Sequence, residues 1–174
     1  LPWSVLLVAC ALALALMLGV VLGIEAAFAQ GRPMDRALTA ATLALDSIPP
    51  FALAMGLVML FAYGLEWLPS NGAMAPFSTR TGMAAWRERA QHLLLPVCAM
   101  ALPAAAGVFL SARATAVAVR QRTFMDLARA QGTGPFALRY RHLAPNVLAV
   151  VLSRLGAVSA RLVSGAVYAE TVFD

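Results

Sequence analysis

Trp3-Ser-Val-Leu-Leu-Val-Ala-Cys10-Ala-Leu-Ala-Leu-Ala-Leu-Met17-Leu-Gly19-Val-Val-Leu-Gly23-Ile24 is a run of 22 residues without a charge. A helix rises about 1.5 Å per residue and a bilayer core is about 30 Å thick, so roughly 20 such residues cross it. Residues 47–65, a run of 19, and 93–112, a run of 20, qualify on the same grounds. A fourth stretch, 143–169, is long enough but carries Arg154 and Arg161. Composition agrees with this reading. Of 174 residues, 61% are hydrophobic and 12% charged, against about 25% charged in a soluble domain. A single soluble core of this length has no room for so much apolar surface. The sequence therefore predicts an all-α, polytopic transmembrane helix bundle, with spans at about 3–24, 37–65, 93–120 and 145–169.

The first run is not read as a signal peptide. No charge precedes it, and it exceeds the usual apolar core of about 7–15 residues. The chain begins at Leu1 rather than Met and stops at Asp174 without a closing element; both ends are expected to be truncations. Cys10 and Cys98 sit in separate apolar runs and read as small buried hydrophobes, with no disulfide or metal pattern around them. Lysine is absent, so all 13 basic residues are arginine. A Walker-type phosphate loop needs its lysine, so the chain is expected to hold no cofactor of its own, and any ATP chemistry would have to come from a partner.

Orientation follows from where the arginines fall. Loop 25–46 holds Arg32 and Arg36, and loop 113–142 holds Arg113, Arg120, Arg122, Arg129, Arg139 and Arg141. Loop 66–92, between them in the chain, holds Arg80, Arg87 and Arg89. Eight arginines against three put the first and third loops in the cytoplasm. Glycines at 19 and 23 have the small-xxx-small spacing that admits a close helix neighbour, a pattern also common by chance. Pro49-Pro50 interrupts the second helix, which starts near Arg36. In the outer loop Pro69, Asn71-Gly72 and Pro76 are turn formers, and Trp67 and Trp86 suit an interfacial belt.

The third loop has a clear local grammar: Thr123-Phe-Met-Asp126-Leu-Ala-Arg-Ala-Gln131-Gly132-Thr-Gly134-Pro135-Phe-Ala-Leu-Arg139-Tyr-Arg141-His142-Leu-Ala-Pro145-Asn146. Thr123 with Asp126 reads as a helix cap with an acid in the first turn. Gly132 supplies the left-handed stop, Pro135 opens a second short helix, and Pro145 closes the loop. Phe124, Leu127, Ala128 and Gln131 share one stripe by the i, i+3, i+4 rule. A helix of about eight residues is not stable alone. The stripe either docks on a partner or packs on the chain's own helices and the lipid interface.

Asp126-Leu127-Ala128, three residues, Gly132, nine residues, then His142-Leu-Ala-Pro145 resembles the signature loop of binding-protein-dependent ABC importer permeases. That signature reads Glu-Ala-Ala, three residues, Gly, nine residues, Ile, any residue, Leu-Pro. Aspartate replaces the glutamate here and Leu127 one alanine. The ending Arg141-His142-Leu-Ala-Pro145-Asn146 is similar to that of the dipeptide, oligopeptide and nickel branch. So are Trp67-Leu68-Pro69, His92-Leu-Leu-Leu-Pro96 and Gly165-Ala-Val-Tyr-Ala-Glu170-Thr-Val-Phe173, in the subunit type given first of the permease pair.

The resemblance implies a MetI-like ABC importer permease fold with about four of six spans present. It implies a non-catalytic subunit of an ATP-driven importer in the bacterial inner membrane, carrying peptides or a nickel or metal chelate. It further implies a homologous second permease subunit, two cytoplasmic ATPase subunits and a periplasmic or lipid-anchored solute-binding protein as partners, besides membrane lipid. Loop 121–144 would be the cytoplasmic coupling loop. Its contact residues would be Phe124, Asp126, Leu127, Ala128, Gln131 and Gly132. No nucleic-acid partner is expected.

Two other classes stay open to the residues alone. One is an ATP-independent channel or secondary carrier. The other is a membrane enzyme, for which His92, His142 and eight acids are the only candidates, without a His-Glu-x-x-His spacing. Arg154 and Arg161 pose a separate question. With a span beginning near Pro145, Arg154 lies about 14 Å in and Arg161 falls two turns on, with Ser153 and Ser164 beside them. Either this stripe lines a translocation cavity, or Arg161 snorkels outwards while Arg154 pairs with an acid such as Asp46.

The arginine bias generates a direct test. In a background without Cys10 and Cys98, an impermeant thiol reagent applied outside should label Ser70→Cys and spare Thr133→Cys. The opposite pattern reverses the assignment.

Overall fold

The computed structural model describes residues 2–68, 83–160 and 162. Every regular element among them is helical. Helix α1 (Pro2–Phe28) is followed by α2 (Pro33–Asp46), α3 (Pro50–Leu57), α4 (Met83–Arg120), α5 (Thr123–Ala130), α6 (Pro135–Ala137) and α7 (Ala144–Ser153). Two of these, over Val5–Phe28 and Leu93–Arg120, are long and apolar enough to cross a membrane. Further helical residues, 155–160, follow α7.

α1 and α4 form the axis, packed on one another more extensively than any other pair. The reason is a ladder of small residues at every fourth position of α1. Ala11, Ala15 and Ala27 are fully buried there, and Gly19 and Gly23 fill the gap between them. α4 answers with Ala101, Ala105, Ala112 and Ala116, all buried. The two backbones approach so closely that a Cβ built on Gly19 would stand 2.6 Å from Val108 Cβ and 2.9 Å from the Ala105 carbonyl oxygen. One on Gly23 would stand 2.8 Å from Ala112 Cβ and 2.9 Å from the Arg113 nitrogen. The chance-prone glycine spacing in the sequence is thus a real contact.

The second helix is not a straight rise from Arg36. It starts at Pro33, whose missing N–H costs nothing in the first turn, and bends by 102° between α2 and the pair formed by α3 and its continuation. The bend falls at Ser47–Pro49, where Pro49 and Pro50 cannot donate to the preceding turn. A π-helical stretch, Val58–Gly64, extends α3, and the Leu65 N–H closes it on the Leu60 carbonyl at 2.9 Å. Phe61 and Trp67 meet just beyond, with ring centres 6.1 Å apart and planes tilted by 47°. The outer connection is shorter than the loop read from sequence, because 83–92 already belongs to α4. That helix runs through both Pro96 and Pro103. Trp86, expected at the interface, lies outside the described side chains.

The last helix departs most from expectation. Pro145 does not end the loop's helical structure. Helical structure is continuous from Pro135 through a π-helical turn, Leu138–Leu143, into α7. The wide turn is the physical answer to Pro145. The ordinary acceptor for residue 145 would be the Arg141 carbonyl, but proline has no N–H to give, and Ala144 instead bonds back to Arg139. The helix then breaks at Arg154. The Ser153 hydroxyl donates to the Val150 carbonyl at 2.7 Å, the acceptor that the Arg154 N–H would take in a regular helix. Arg154 bonds to Val151 instead, at 3.0 Å. Serine competing for a backbone acceptor is a known source of helix bending. Within the range expected to form the fourth span, 145–169, the helix is thus broken at Arg154, and residues 161 and 163–169 lie outside the described residues.

Two apolar clusters line the axis. One joins Leu7, Ala54, Leu95 and Met100 towards the far end. The other joins Ile24, Val108, Val119, Met125, Leu143, Val147 and Val151 at the arginine-bearing end. The second cluster includes residues of α5 and its successor, so the third loop is part of the bundle.

Close packing gives a paired expectation. Gly23→Ala should lower the stability of the detergent-solubilised protein by about 1–3 kcal/mol, the usual cost of overpacking. Gly56→Ala, where nothing lies within 4 Å, should be neutral or stabilising by up to ~1 kcal/mol through helix propensity. Thermal unfolding of both variants checks it.

Candidate functional site

α5 is built as the loop's grammar suggests, with one correction at its start. Thr123 is the first helical residue and not the cap. Arg122 takes that position in extended conformation and makes no side-chain capping bond. Asp126 stays in the first turn, where a carboxylate suits the helix dipole, and pairs with Arg129 at 2.7 Å. Both are exposed, so the pair contributes at most about 1 kcal/mol. The end is firmer. Gly132, at φ +79°, lets its own N–H reach the Arg129 carbonyl at 3.0 Å while the Thr133 N–H reaches Ala128 at 3.1 Å. This pair of bonds is the Schellman closure that glycine favours.

The helix has two apolar sides, and the sequence stripe merged them. Met125 and Ala128 are buried in the cluster around Val119 and Val147. Phe124 is 41% exposed and Leu127 58%, and Phe136 on α6 is 74% exposed. Asp126, Gln131 and Gly132 are exposed as well. Ala128 is therefore an inward anchor and not part of an outer stripe with Phe124, because it faces the same way as buried Met125 at i−3 and not as exposed Phe124 at i−4. The outward residues are Phe124, Asp126, Leu127, Gln131 and Gly132.

Polar contacts missed in the sequence reading fasten the loop to the rest. At the end of α1, Glu25 accepts a hydrogen bond from the Tyr140 hydroxyl at 2.8 Å and pairs with Arg139 at 3.0 Å. Burial first, and then the bond to Glu25, push the Tyr140 phenol above its ordinary range, so it stays a donor. The Arg139 and Arg120 guanidiniums lie over the Phe28 ring, at 4.8 and 5.1 Å from its centre, contacts of about 0.5–2 kcal/mol. Arg120 also donates to the Ala27 carbonyl. Arg113 on α4 holds the buried Asp35 of α2 through two bonds of 2.6 and 2.8 Å, and the Gly31 N–H adds a third at 3.0 Å. Only the scarcity of acids beside so many arginines hinted at these pairs; partners 78 and 114 residues apart are not legible from spacing. A polar hollow between the ends of α1 and α4 and helix α5 is lined by Gln30, Arg120, Gln121, Asp126 and Arg129.

Of the two arginines assigned to a cavity, Arg154 lines a cleft between α4 and the broken α7. Arg161 and Ser164 lie outside the described residues. Ser153 does not contribute to that stripe, since its hydroxyl is turned to the Val150 carbonyl. Among the described residues no ion pair of Arg154 is seen, and no cluster of His, Cys, Asp and Glu suits a metal ion.

Relatives share this architecture's sequence. The chain is 32% identical over 161 residues to the "Probable peptide ABC transporter permease protein y4tP" of Sinorhizobium fredii, a match covering 92% of this chain and 50% of that protein. It is 30% identical over 173 residues to the oligopeptide transport system permease protein OppB of Salmonella typhimurium, and 31% identical to OppB of Escherichia coli. Each of these covers 99% of this chain and 52% of the relative, so the chain spans about half the length of the curated relatives it matches. The family described as binding-protein-dependent transport system inner membrane component matches residues 19–174. With that match laid over most of a bundle of apolar helices, the chain belongs to the family of binding-protein-dependent transport system inner membrane components.

Proposed function

We propose that the chain is the membrane-spanning part of a permease subunit in an ATP-driven importer of peptides. A homologous permease subunit completes the pathway, two cytoplasmic ATPase subunits supply the energy, and a solute-binding protein delivers cargo outside. The observation that carries this reading is the two-sided α5. Its inner side, Met125 and Ala128, is embedded in the bundle, while Phe124 and Leu127 are exposed on the other side. An apolar side chain exposed at the arginine-bearing end, on a helix anchored from behind by Met125 and Ala128, is suited to fit a protein groove. The peptide cargo follows the relatives named for peptide transport.

The mechanism follows from the anchors. Nucleotide-driven closure of the ATPases displaces α5. Met125 and Ala128 pass that displacement to Val119 on α4 and Val147 on α7, and the Glu25–Arg139–Tyr140 contacts pass it to α1. The helices then rock together, because a packed cluster shifts as a body more readily than it deforms. No residue of the chain needs to perform bond chemistry for this.

Two substitutions test the docking face in the complete transporter. Leu127→Asp changes an exposed position, so stability should move by no more than about 0.5 kcal/mol. Docking should weaken by about 2 kcal/mol or more if Leu127 sits in a groove. Gly132→Val forces a β-branched residue to φ +79°, costs about 1–2 kcal/mol and tilts the helix end. Both variants should insert normally, lose co-purifying ATPase and lose peptide uptake. Wild-type uptake with Leu127→Asp would overturn the docking face, and uptake without any ATPase would favour a carrier.

A further inference from the structure

The cleft between α4 and the broken α7 holds about 200 Å³. Ala104, Gly107 and Ser111 line it from α4, and Val151, Arg154 and Ala157 from the other side. Spacings of three and four along α4 put those small residues on one face, which leaves the space that a larger side chain would fill. Arg154 is the one charged residue lining it among those described. It reaches the cleft because the helix breaks at its own position. Opposite, the Ser111 hydroxyl is buried without a hydrogen-bond partner.

Their setting makes these two groups unusual. Ser111 stands at the arginine-bearing end of the uncharged run 93–112, and Arg154 lines the cleft against Ala104, Gly107 and Ser111 of that run. The cleft therefore borders a segment long and apolar enough to cross a hydrocarbon core of about 30 Å. An ionised group in such a setting is normally paired or faces water, and marks a pathway. Among the described residues no ion pair of Arg154 is seen, and a buried hydroxyl without a partner is itself uncommon. A cationic fork and a hydroxyl donor, both unengaged, match the two oxygens of a carboxylate. The volume sets the scale of what enters. It is below the roughly 300–1,000 Å³ of a whole small-molecule site, so it takes one end of a cargo.

We propose that this cleft is a carboxylate subsite, in which Arg154 and Ser111 receive an acidic end of the cargo as it passes. The proposal rests on the transport reading above and adds to it the chemistry of one station on the path. It concerns affinity for a carboxylate, so it is separable from ATPase docking, which involves α5.

The test uses the assembled transporter with Cys10→Ala and Cys98→Ala, carrying Ser111→Cys as a reporter. An anionic sulfonate-bearing methanethiosulfonate should label it at least about tenfold faster than the trimethylammonium reagent, since a cleft of one charge sign concentrates counter-ions by roughly that factor or more. Adding Arg154→Gln should bring the ratio near one, and Arg154→Lys should keep the anion preference. A tripeptide with a free carboxylate should slow labelling, and its C-terminal amide should not. Ala157→Cys serves as a second reporter where Ser111→Cys fails to assemble. An unreactive cleft in every nucleotide state overturns the proposal, and so does an anion preference that survives Arg154→Gln. Equal effects of acid and amide, or none from either, overturn it too. Peptide uptake by the wild-type transporter is measured alongside. Its absence sinks the transport reading, while uptake with a failed labelling result sinks only the subsite.

Discussion

The approach of α1 to α4 at Gly19 and Gly23 is the contact on which the other interactions depend. In lipid no hydrophobic drive brings two apolar helices together, since the tails are as apolar as leucine. Association then rests on dispersion, which weakens by a quarter to a half for a gap of about 0.5–1 Å. Glycine removes the Cβ atoms that would meet Val108 and Ala112, so the backbones reach full contact. That separation also decides where the end of α1 arrives. Glu25, Ala27 and Phe28 come within reach of Arg139, Tyr140 and Arg120 only because the helices are this close.

Those polar contacts add position more than net stability. Taking charges out of water is costly, and a buried pair recovers the cost only when the remaining donors and acceptors are also satisfied. Asp35 meets that condition, with both oxygens on Arg113 and one also on the Gly31 N–H. Arg139 meets it in part: it pairs with Glu25, yet its Nε is buried without a partner. The contacts at Glu25 are thus the less settled of the two. They are also the ones that tie the loop to α1, whereas Asp35–Arg113 ties α2 to α4. The asymmetry suits a junction that changes geometry beside one that does not.

Much of the architecture was legible because it follows from length and local chemistry. The uncharged runs give the helices, Gly132 gives the end of α5, and Pro135 gives the start of α6. What escaped depends on neighbours. Phe124, Leu127, Ala128 and Gln131 satisfy a helical stripe, but an eight-residue helix offers Met125 and Ala128 a second stripe of equal quality. Only the core around Val119 chooses between them. The break at Arg154 needs a serine hydroxyl to prevail over a backbone N–H for one carbonyl, a competition of near-equal bonds. The π-helical turn before α7 answers a proline in a way that differs from the helix stop sequence rules expect.

These irregularities have a mechanical consequence when taken in order along the chain. From Pro135 to Ser153 helical structure is continuous, a rod of roughly 27 Å at about 1.5 Å per residue. Its lower end bears Phe136 and lies beside α5, and its upper end stops at Arg154. Leu138, Leu143, Val147 and Val151 bury one side of it along its whole length, so it cannot bend locally without opening the core. A displacement given to α5 travels, on the proposed reading, along this rod, past the turn that Pro145 widens, and is released where the helix breaks. That place is the wall of the cleft holding Arg154. On the proposed reading, the site that meets the ATPase and the site that meets the cargo are the two ends of one rigid element. The break that exposes the arginine is also the hinge that lets the wall move.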